Sequence, residues 1–319
     1  MARPPPTPTS VVSETATPKF TVFTPTFNRA HTLGRVHDSL KVQTFTDFEW
    51  LIVDDGSDDE TTELVTGWTE ASPFPIHYLR QTNQGKHMAF NLGVREARGE
   101  LFLSLDSDDG CVPTALERFK HHWDAIPADE RPGFSAVTAL CLDQHGDLVG
   151  TAFPTSPLDS DALEIQYRYK LTGEKWGFHR TSVLREFPFP EMPGESFVSE
   201  RLVWDRIAIR YRTRYVNEPL RIYHTGDGNP NLSGEDRQPA RHADMYQLVW
   251  RAQLTEQLRW LRYAPLRFAI AAVQFSRFTL HRGVSLRREL RTLPGPSRVL
   301  CLITLPAALG LYARDQRRT

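Results

Sequence analysis

Short apolar runs alternate with amphipathic stretches through the first part of the chain. Phe20-Thr21-Val22-Phe23, Trp50-Leu51-Ile52-Val53, Ile76 to Leu79 and Leu101 to Leu105 are strand-length and rich in β-branched and aromatic residues. Between them Leu33, Val36 and Leu40, then Leu64, Val65 and Trp68, recur at helical spacing, and a further helix is expected from Lys86 to Arg95. Pro113 stands where another helix begins, with Leu116 and Phe119 on its inner face. Such alternation predicts an α/β fold: a Rossmann-like, mostly parallel sheet flanked by helices. Residues 1–18 are mostly Pro, Thr and Ser and lack both the charged start and the apolar core of a signal peptide, so a disordered arm is expected there. Beyond residue 235 the pattern turns helical. Met245, Leu248, Val249 and Ala252 trace one apolar stripe, Leu254, Leu258 and Leu261 a second, and Phe268 to Phe278 another apolar stretch. The expected division is an arm (1–18), an α/β domain (19–225), and a loop leading to a C-terminal helical extension (226–319).

Two of the apolar runs end in carboxylates. Asp54-Asp55-Gly56-Ser57-Asp58-Asp59 follows the run ending at Val53, and Asp106-Ser107-Asp108-Asp109 follows the run ending at Leu105. Ligands of open α/β sheets bind outside the carboxyl ends of the strands. Two acidic strand ends repel one another unless something cationic lies between them. A hard divalent cation carrying a phosphate group fits, whereas either cluster alone also fits a turn that caps the next helix.

The net charge of −1 conceals an asymmetry. Residues 241–319 hold fourteen Arg, no Lys and four acids (Asp244, Glu256, Glu289, Asp315), a net +10, which leaves −11 on the other 240. An acidic α/β portion suits cation binding and a basic tail suits an anionic surface; nothing calls for a nucleic acid partner. Cys111, Cys141 and Cys301 are odd in number, widely spaced and without metal-ligand spacing, which argues for a reducing, cytoplasmic compartment.

Thr24-Pro25-Thr26-Phe27-Asn28-Arg29, Val53-Asp54-Asp55-Gly56-Ser57-Asp58, Asn83-Gln84-Gly85-Lys86, Gly99-Glu100 and Asp106-Ser107-Asp108-Asp109 occur in that order. The ordered set resembles the family-2 glycosyltransferases, inverting enzymes of the GT-A fold that use nucleotide-activated sugars. The resemblance covers roughly residues 19–225 and is strongest over 20–115. It implies a sugar moved from a UDP-sugar to a hydroxyl acceptor (a glycan, a lipid-linked glycan or a small molecule), with Mn²⁺ or Mg²⁺ as cofactor. By resemblance Pro25 and Phe27 pack near the nucleoside base, although Phe27 is also readable as a core aromatic. Asp55 accepts from uracil; Arg29 contacts phosphate or caps the sheet. Lys86, at a helix start, contacts the diphosphate or donor sugar, as a helix N-terminus with an ammonium suits an anion. Asp106 and Asp108 match a D-x-D element, Asp108 binding the metal and Asp106 hydroxyls of the ribose or donor sugar; Asp109 reads as a helix cap. The general base falls on Glu200, just before the amphipathic stretch Leu202, Val203, Ile207. Ser199-Glu200 stands where the family has Glu-Asp, and Glu195 and Asp205 are close in sequence. Trp176 suits a sugar-stacking platform or the core equally. His224 is a candidate third metal ligand, at the start of a loop (Gly226 to Asn231) that closes over the donor in similar enzymes.

Two rivals are weaker. A sugar-nucleotide nucleotidyltransferase needs a glycine-rich loop after the first strand, and Thr24 to Arg29 holds no glycine. A non-catalytic nucleotide-sugar-binding protein on a degenerate scaffold sits poorly with acids at every expected position. For the tail, Val299 to Tyr312 is apolar but only fourteen residues long and interrupted by Pro306, short of a bilayer span. Its apolar faces and arginines suit peripheral contact with the inner face of a membrane, or a helical extension packed on the catalytic domain or joining two copies.

Overall fold

The computed structural model describes residues 17–192, 195, 197–225 and 241–317. Nearly all of the expected arm and the expected closing loop lie outside those residues. In chain order the elements are β1 (Phe20–Thr26), α1 (Ala30–Lys41), β2 (Phe48–Asp54), α2 (Thr61–Ala71), β3 (Ile76–Arg80), α3 (Lys86–Glu96), β4 (Leu101–Ser104), β5 (Gly110–Cys111) and α4 (Ala115–Asp124). There follow β6 (Phe134–Asp143), β7 (Leu158–Ser160), α5 (Ala162–Glu164), β8 (Lys175–Arg180), α6 (Thr181–Glu186), α7 (Arg201–Arg210) and β9 (Arg212–Tyr223). Four helices complete the chain: α8 (Ala243–Glu256), α9 (Pro265–His281), α10 (Leu286–Arg291) and α11 (Gly295–Gln316).

The strands form one sheet in the order β3-β2-β1-β4-β8-β6-β9-β5, with β7 on β9. The half containing β3, β2, β1 and β4 is parallel, as the alternation predicts. Beyond β4 the sheet is mixed, because β8 runs antiparallel to both its neighbours. Every residue of β1 and β2 is buried, as in a parallel sheet covered on both faces. Strand alternation splits their side chains between two cores. Phe20, Val22, Trp50 and Ile52 meet Leu33 and Val36 of α1, Val65 of α2 and Phe119 of α4. Phe23, Leu51 and Val53 meet Phe90 of α3, Leu184 of α6, and Leu202, Val203 and Ile207 of α7.

The C-terminal helices are joined to this body. Met245 and Val249 of α8 complete the second core. Phe268 and Phe275 of α9, Leu290 of α10 and Cys301 of α11 form a third with Tyr167 and Ala208 of the α/β portion. Trp176, one of two readings open in the sequence, is a core residue. Its indole N–H donates to the Ser104 carbonyl at 2.6 Å and its ring meets Phe119 edge-on, so no sugar stacks on it. The expectation that the apolar C-terminal stretch is too short for a bilayer is overturned: α11 runs for 22 residues with Pro306 inside it, and by length and composition it is long and apolar enough to cross a membrane.

Candidate functional site

The acidic clusters and their cationic partners converge where β1, β2 and β4 end. Parallel register places Thr26 opposite Asp54, so the turns after β1 and β2 lie side by side. Asn28, at φ 54°, receives the Asp58 N–H on its side-chain oxygen at 2.9 Å and gives its own N–H to Ser57 Oγ at 2.8 Å. Asp54, fully buried, accepts from the Ser57 N–H and hydroxyl and from the Tyr78 hydroxyl, an inward carboxylate that builds the turn.

The expected base-pocket residues sit in this turn. Pro25 is buried within β1, whereas Phe27 is 46 % exposed just past its end. A core role for Phe27 is thereby excluded. The Asp55 carboxylate accepts from Gln81 Nε2 at 2.7 Å, the Gln84 N–H at 2.9 Å and the Gly85 N–H at 2.8 Å. Asp55 therefore organises the entry to α3, where Gly85 adopts φ 92°, a left-handed conformation suited to glycine. The Gln84 and Gly85 amides at that entry are thereby turned to Asp55.

Lys86 Nζ lies 2.9 Å from Asp106 Oδ1 and 3.7 Å from Glu200 Oε1. The neighbouring Asp106 carboxylate holds the Lys86 ammonium above its usual pKa. The other Asp106 oxygen accepts from Arg221 Nη2 at 2.8 Å. Burial opposes its ionisation, but Lys86 and Arg221 prevail and keep the carboxyl well below the usual range. Asp108 points elsewhere, to Arg29 Nη1 at 3.0 Å, while its backbone carbonyl accepts from Arg35.

Asp109 corrects an expectation. It caps no helix: α4 has no side-chain cap, and the buried Asp109 carboxylate instead accepts from Arg221 Nε at 2.8 Å and the His224 N–H at 2.7 Å. Burial pushes this carboxyl up to about 6 although Arg221 opposes the shift. Arg221, on β9 and itself buried, is a site residue that the sequence reading missed. It ties Asp106, Asp109 and the start of the 224–225 segment into one network, and nothing in the local pattern of β9 marks it.

The three candidate bases separate by environment. Glu195 forms a close pair with the buried His242. Asp205 accepts from Gln257 Nε2 at 2.8 Å and lies 3.5 Å from Arg201; burial raises its pKa. Glu200 alone of the three is open, its side chain 52 % exposed at the N-cap of α7 and facing Lys86. Trp204, one turn on, donates its indole N–H to Glu200 Oε2 at 3.1 Å. The Trp204 ring is fixed by a parallel stack on His179 at 4.9 Å and by edge contacts with Phe90 and Phe189.

The donor set can be tested against a divalent cation. Among the described residues no three His, Cys, Asp or Glu side chains converge as a protein-built metal cage. Asp108 carries one cation, Arg29, whereas Asp106 is held between Lys86 and Arg221 and the buried Asp109 is held by Arg221. The His224 imidazole lies 4.0 Å from Asp109. That arrangement fits Mg²⁺ or Mn²⁺ held through Asp108 with substrate phosphate oxygens as its other main ligands.

Comparison with known proteins finds relatives in sequence and in fold. Residues 21–132 match the model of glycosyl transferase family 2. An uncharacterized glycosyltransferase of Nostoc sp. is 35 % identical over 178 residues, 52 % of this chain and 50 % of that protein. The GalNAc(5)-diNAcBac-PP-undecaprenol beta-1,3-glucosyltransferase of Campylobacter jejuni is 28 % identical over 211 residues, 65 % of this chain and 64 % of that one. The chain thus spans about half to two thirds of the length of these relatives. In fold it matches the crystal structure of residues 1–349 of S. aureus TarS in complex with UDP-GlcNAc, with TM-score 0.66 and 18 % identity over 94 % of this chain and 90 % of that one.

Proposed function

We propose that this chain, a family-2 glycosyltransferase over its residues 21–132, moves a sugar from a UDP-sugar to an acceptor hydroxyl with inversion at the anomeric carbon. The observation that carries the proposal is the meeting of Lys86, Asp106 and Glu200 at the strand ends, with Phe27 exposed nearby. A cation for the diphosphate, a carboxylate for hydroxyls and an open carboxylate at the N-cap of a helix are what a single displacement needs.

Phe27 packs on the base, and Asp55, with three of its roughly four acceptor positions used, takes the uracil N–H. Arg29 and Lys86 face the diphosphate. A divalent ion held by Asp108 would neutralise the diphosphate as it departs. Glu200 accepts the proton of the acceptor hydroxyl as that oxygen bonds to the anomeric carbon and the bond to the diphosphate breaks. His224 is a proposed further ligand of the ion. The Campylobacter relative's name, a beta-1,3-glucosyltransferase of an undecaprenol-linked glycan, supports a β-linkage and a lipid-linked acceptor here.

Thermal-shift screening of UDP-sugars with Mn²⁺, followed by UDP release with and without a lipid-linked glycan, tests the reading. Stabilisation by a UDP-sugar with no turnover on any acceptor would leave a binding protein instead. The metal assignment has its own test. Asp108→Ala should abolish the Mn²⁺-dependent part of UDP binding measured by calorimetry, because it removes the proposed charged ligand of the ion. Unchanged UDP affinity in EDTA would defeat it. For Trp204→Phe the ring packing is kept and the hydrogen bond to Glu200 is lost. About 1 kcal/mol corresponds to a fall in kcat of roughly fivefold at unchanged UDP affinity, and equal kcat would show that Glu200 does not depend on Trp204.

A further inference from the structure

The outward face of α11 is inverted relative to an ordinary surface helix. Its inner positions are small, Ser297, Cys301 and Ala308, and they let the helix lie close on the third core. Its outer positions are large and apolar: Val299, Leu302, Ile303 and Leu309 are exposed, Ile303 by 70 %. Pro306, Ala307 and Gly310 lie on the same open side. From Val299 to Gly310 this is a stripe about 17 Å long, at 1.5 Å per residue, with no charged side chain on it. A run of this kind facing outward marks a contact surface.

Exposed arginines flank the stripe at both ends of its sequence. Arg287, Arg288 and Arg291 of α10 are exposed just before it, Arg298 opens it and Arg314 and Arg317 follow it. The two acids of this segment are turned to other partners: Glu289 accepts from Arg251 at 2.8 Å and Asp315 from Arg277 at 2.6 Å. Guanidinium forks match phosphate geometry, and an apolar helix face with exposed cations at both ends is the pattern of a helix lying in a lipid headgroup layer.

We propose that α10 and α11 dock this protein on an anionic membrane surface, with α11 lying in the interfacial plane. A crossing orientation is opposed by how α11 is held. Ser297 Oγ donates to the Leu254 carbonyl at one end, and Arg277 grips Asp315 at the other. A second copy is a poorer occupant. A stripe about 17 Å by 10 Å covers roughly 170 Å², well below the ~800 Å² per partner of a stable interface. A two-fold contact through this patch would also bring its own arginines together.

The full-length protein is sedimented with vesicles of phosphatidylcholine alone and with about one third phosphatidylglycerol. Binding is expected to the anionic vesicles and to weaken as salt rises from ~0.1 M to ~1 M, where the screening length falls to about 3 Å. Arg287→Gln/Arg288→Gln/Arg291→Gln should weaken it by about 10²-fold, at roughly fivefold per arginine near the surface. Leu302→Glu/Ile303→Glu should abolish it while circular dichroism and the melting temperature stay unchanged, since both side chains are exposed. Salt-insensitive recovery in the supernatant from both vesicles, or variants that bind like the parent protein, would overturn the proposal. So would firm binding to neutral vesicles at ~1 M salt, or a lipid-free dimer that Leu302→Glu/Ile303→Glu splits.

Discussion

Replacing Glu200 with Gln is expected to lower turnover by about 10²–10⁴-fold while leaving UDP affinity unchanged. The substitution keeps the shape and the hydrogen bond from Trp204 but removes the proton acceptor. Glu195→Gln and Asp205→Asn should behave differently, because their carboxylates face inward, to His242 and to Gln257 with Arg201. Their effects belong to stability, read as a lower melting temperature with kcat largely preserved. Steady-state UDP release and calorimetry on the three variants separate the cases. Near-normal kcat in Glu200→Gln together with a collapse in either of the others would move the base to that residue.

The expected position of Glu200 and its observed setting show what a sequence can carry. Leu202, Val203 and Ile207 recur on one face, so α7 and its start were legible, and the acid at that start follows. Which of three nearby acids stays open was not legible. That depends on His242, more than forty residues later, and on Gln257, more than fifty residues after Asp205. The parallel half of the sheet was equally plain, since buried parallel strands are short apolar runs and their ends carry the acids. The mixed half was not, because β5 and β7 are two and three residues long and carry no periodicity. Asp109 was misread for a related reason. An Asp shortly before a proline and an amphipathic run has the local look of a cap, and only the return of β9 brings Arg221 beside it, 112 residues further on. Phe27 and Trp176 make the same point in opposite directions. Both are aromatic residues near a strand, and only the packed sheet decides that the first is open and the second enclosed.

Arg221→Met should then be among the most damaging single changes in the α/β portion. It leaves Asp109 buried without its cation and removes one of the two cations on Asp106. Breaking a buried pair from one side costs about 3–5 kcal/mol, which for a body of this size lowers the melting temperature by roughly 10 °C. The loss should depend on pH with a definite sign. Burial already raises the Asp109 carboxyl to about 6 in the folded protein. The folded state therefore binds this proton more tightly than the unfolded chain, and the group's contribution to stability falls as pH rises from the usual carboxylate range through about 6. Without Arg221 the charged form is poorer still, so the gap between variant and parent should be widest near pH 8 and narrow near pH 5, where a protonated Asp109 needs no cation. Asp109→Asn in the Arg221→Met background removes the buried charge, and should recover part of the stability at pH 8 and little at pH 5. Urea unfolding of the parent, single and double variants at both pH values measures this. A gap independent of pH, or a double variant no more stable than Arg221→Met at pH 8, would mean that Arg221 acts through packing over Tyr223 and not through the charge it gives Asp109.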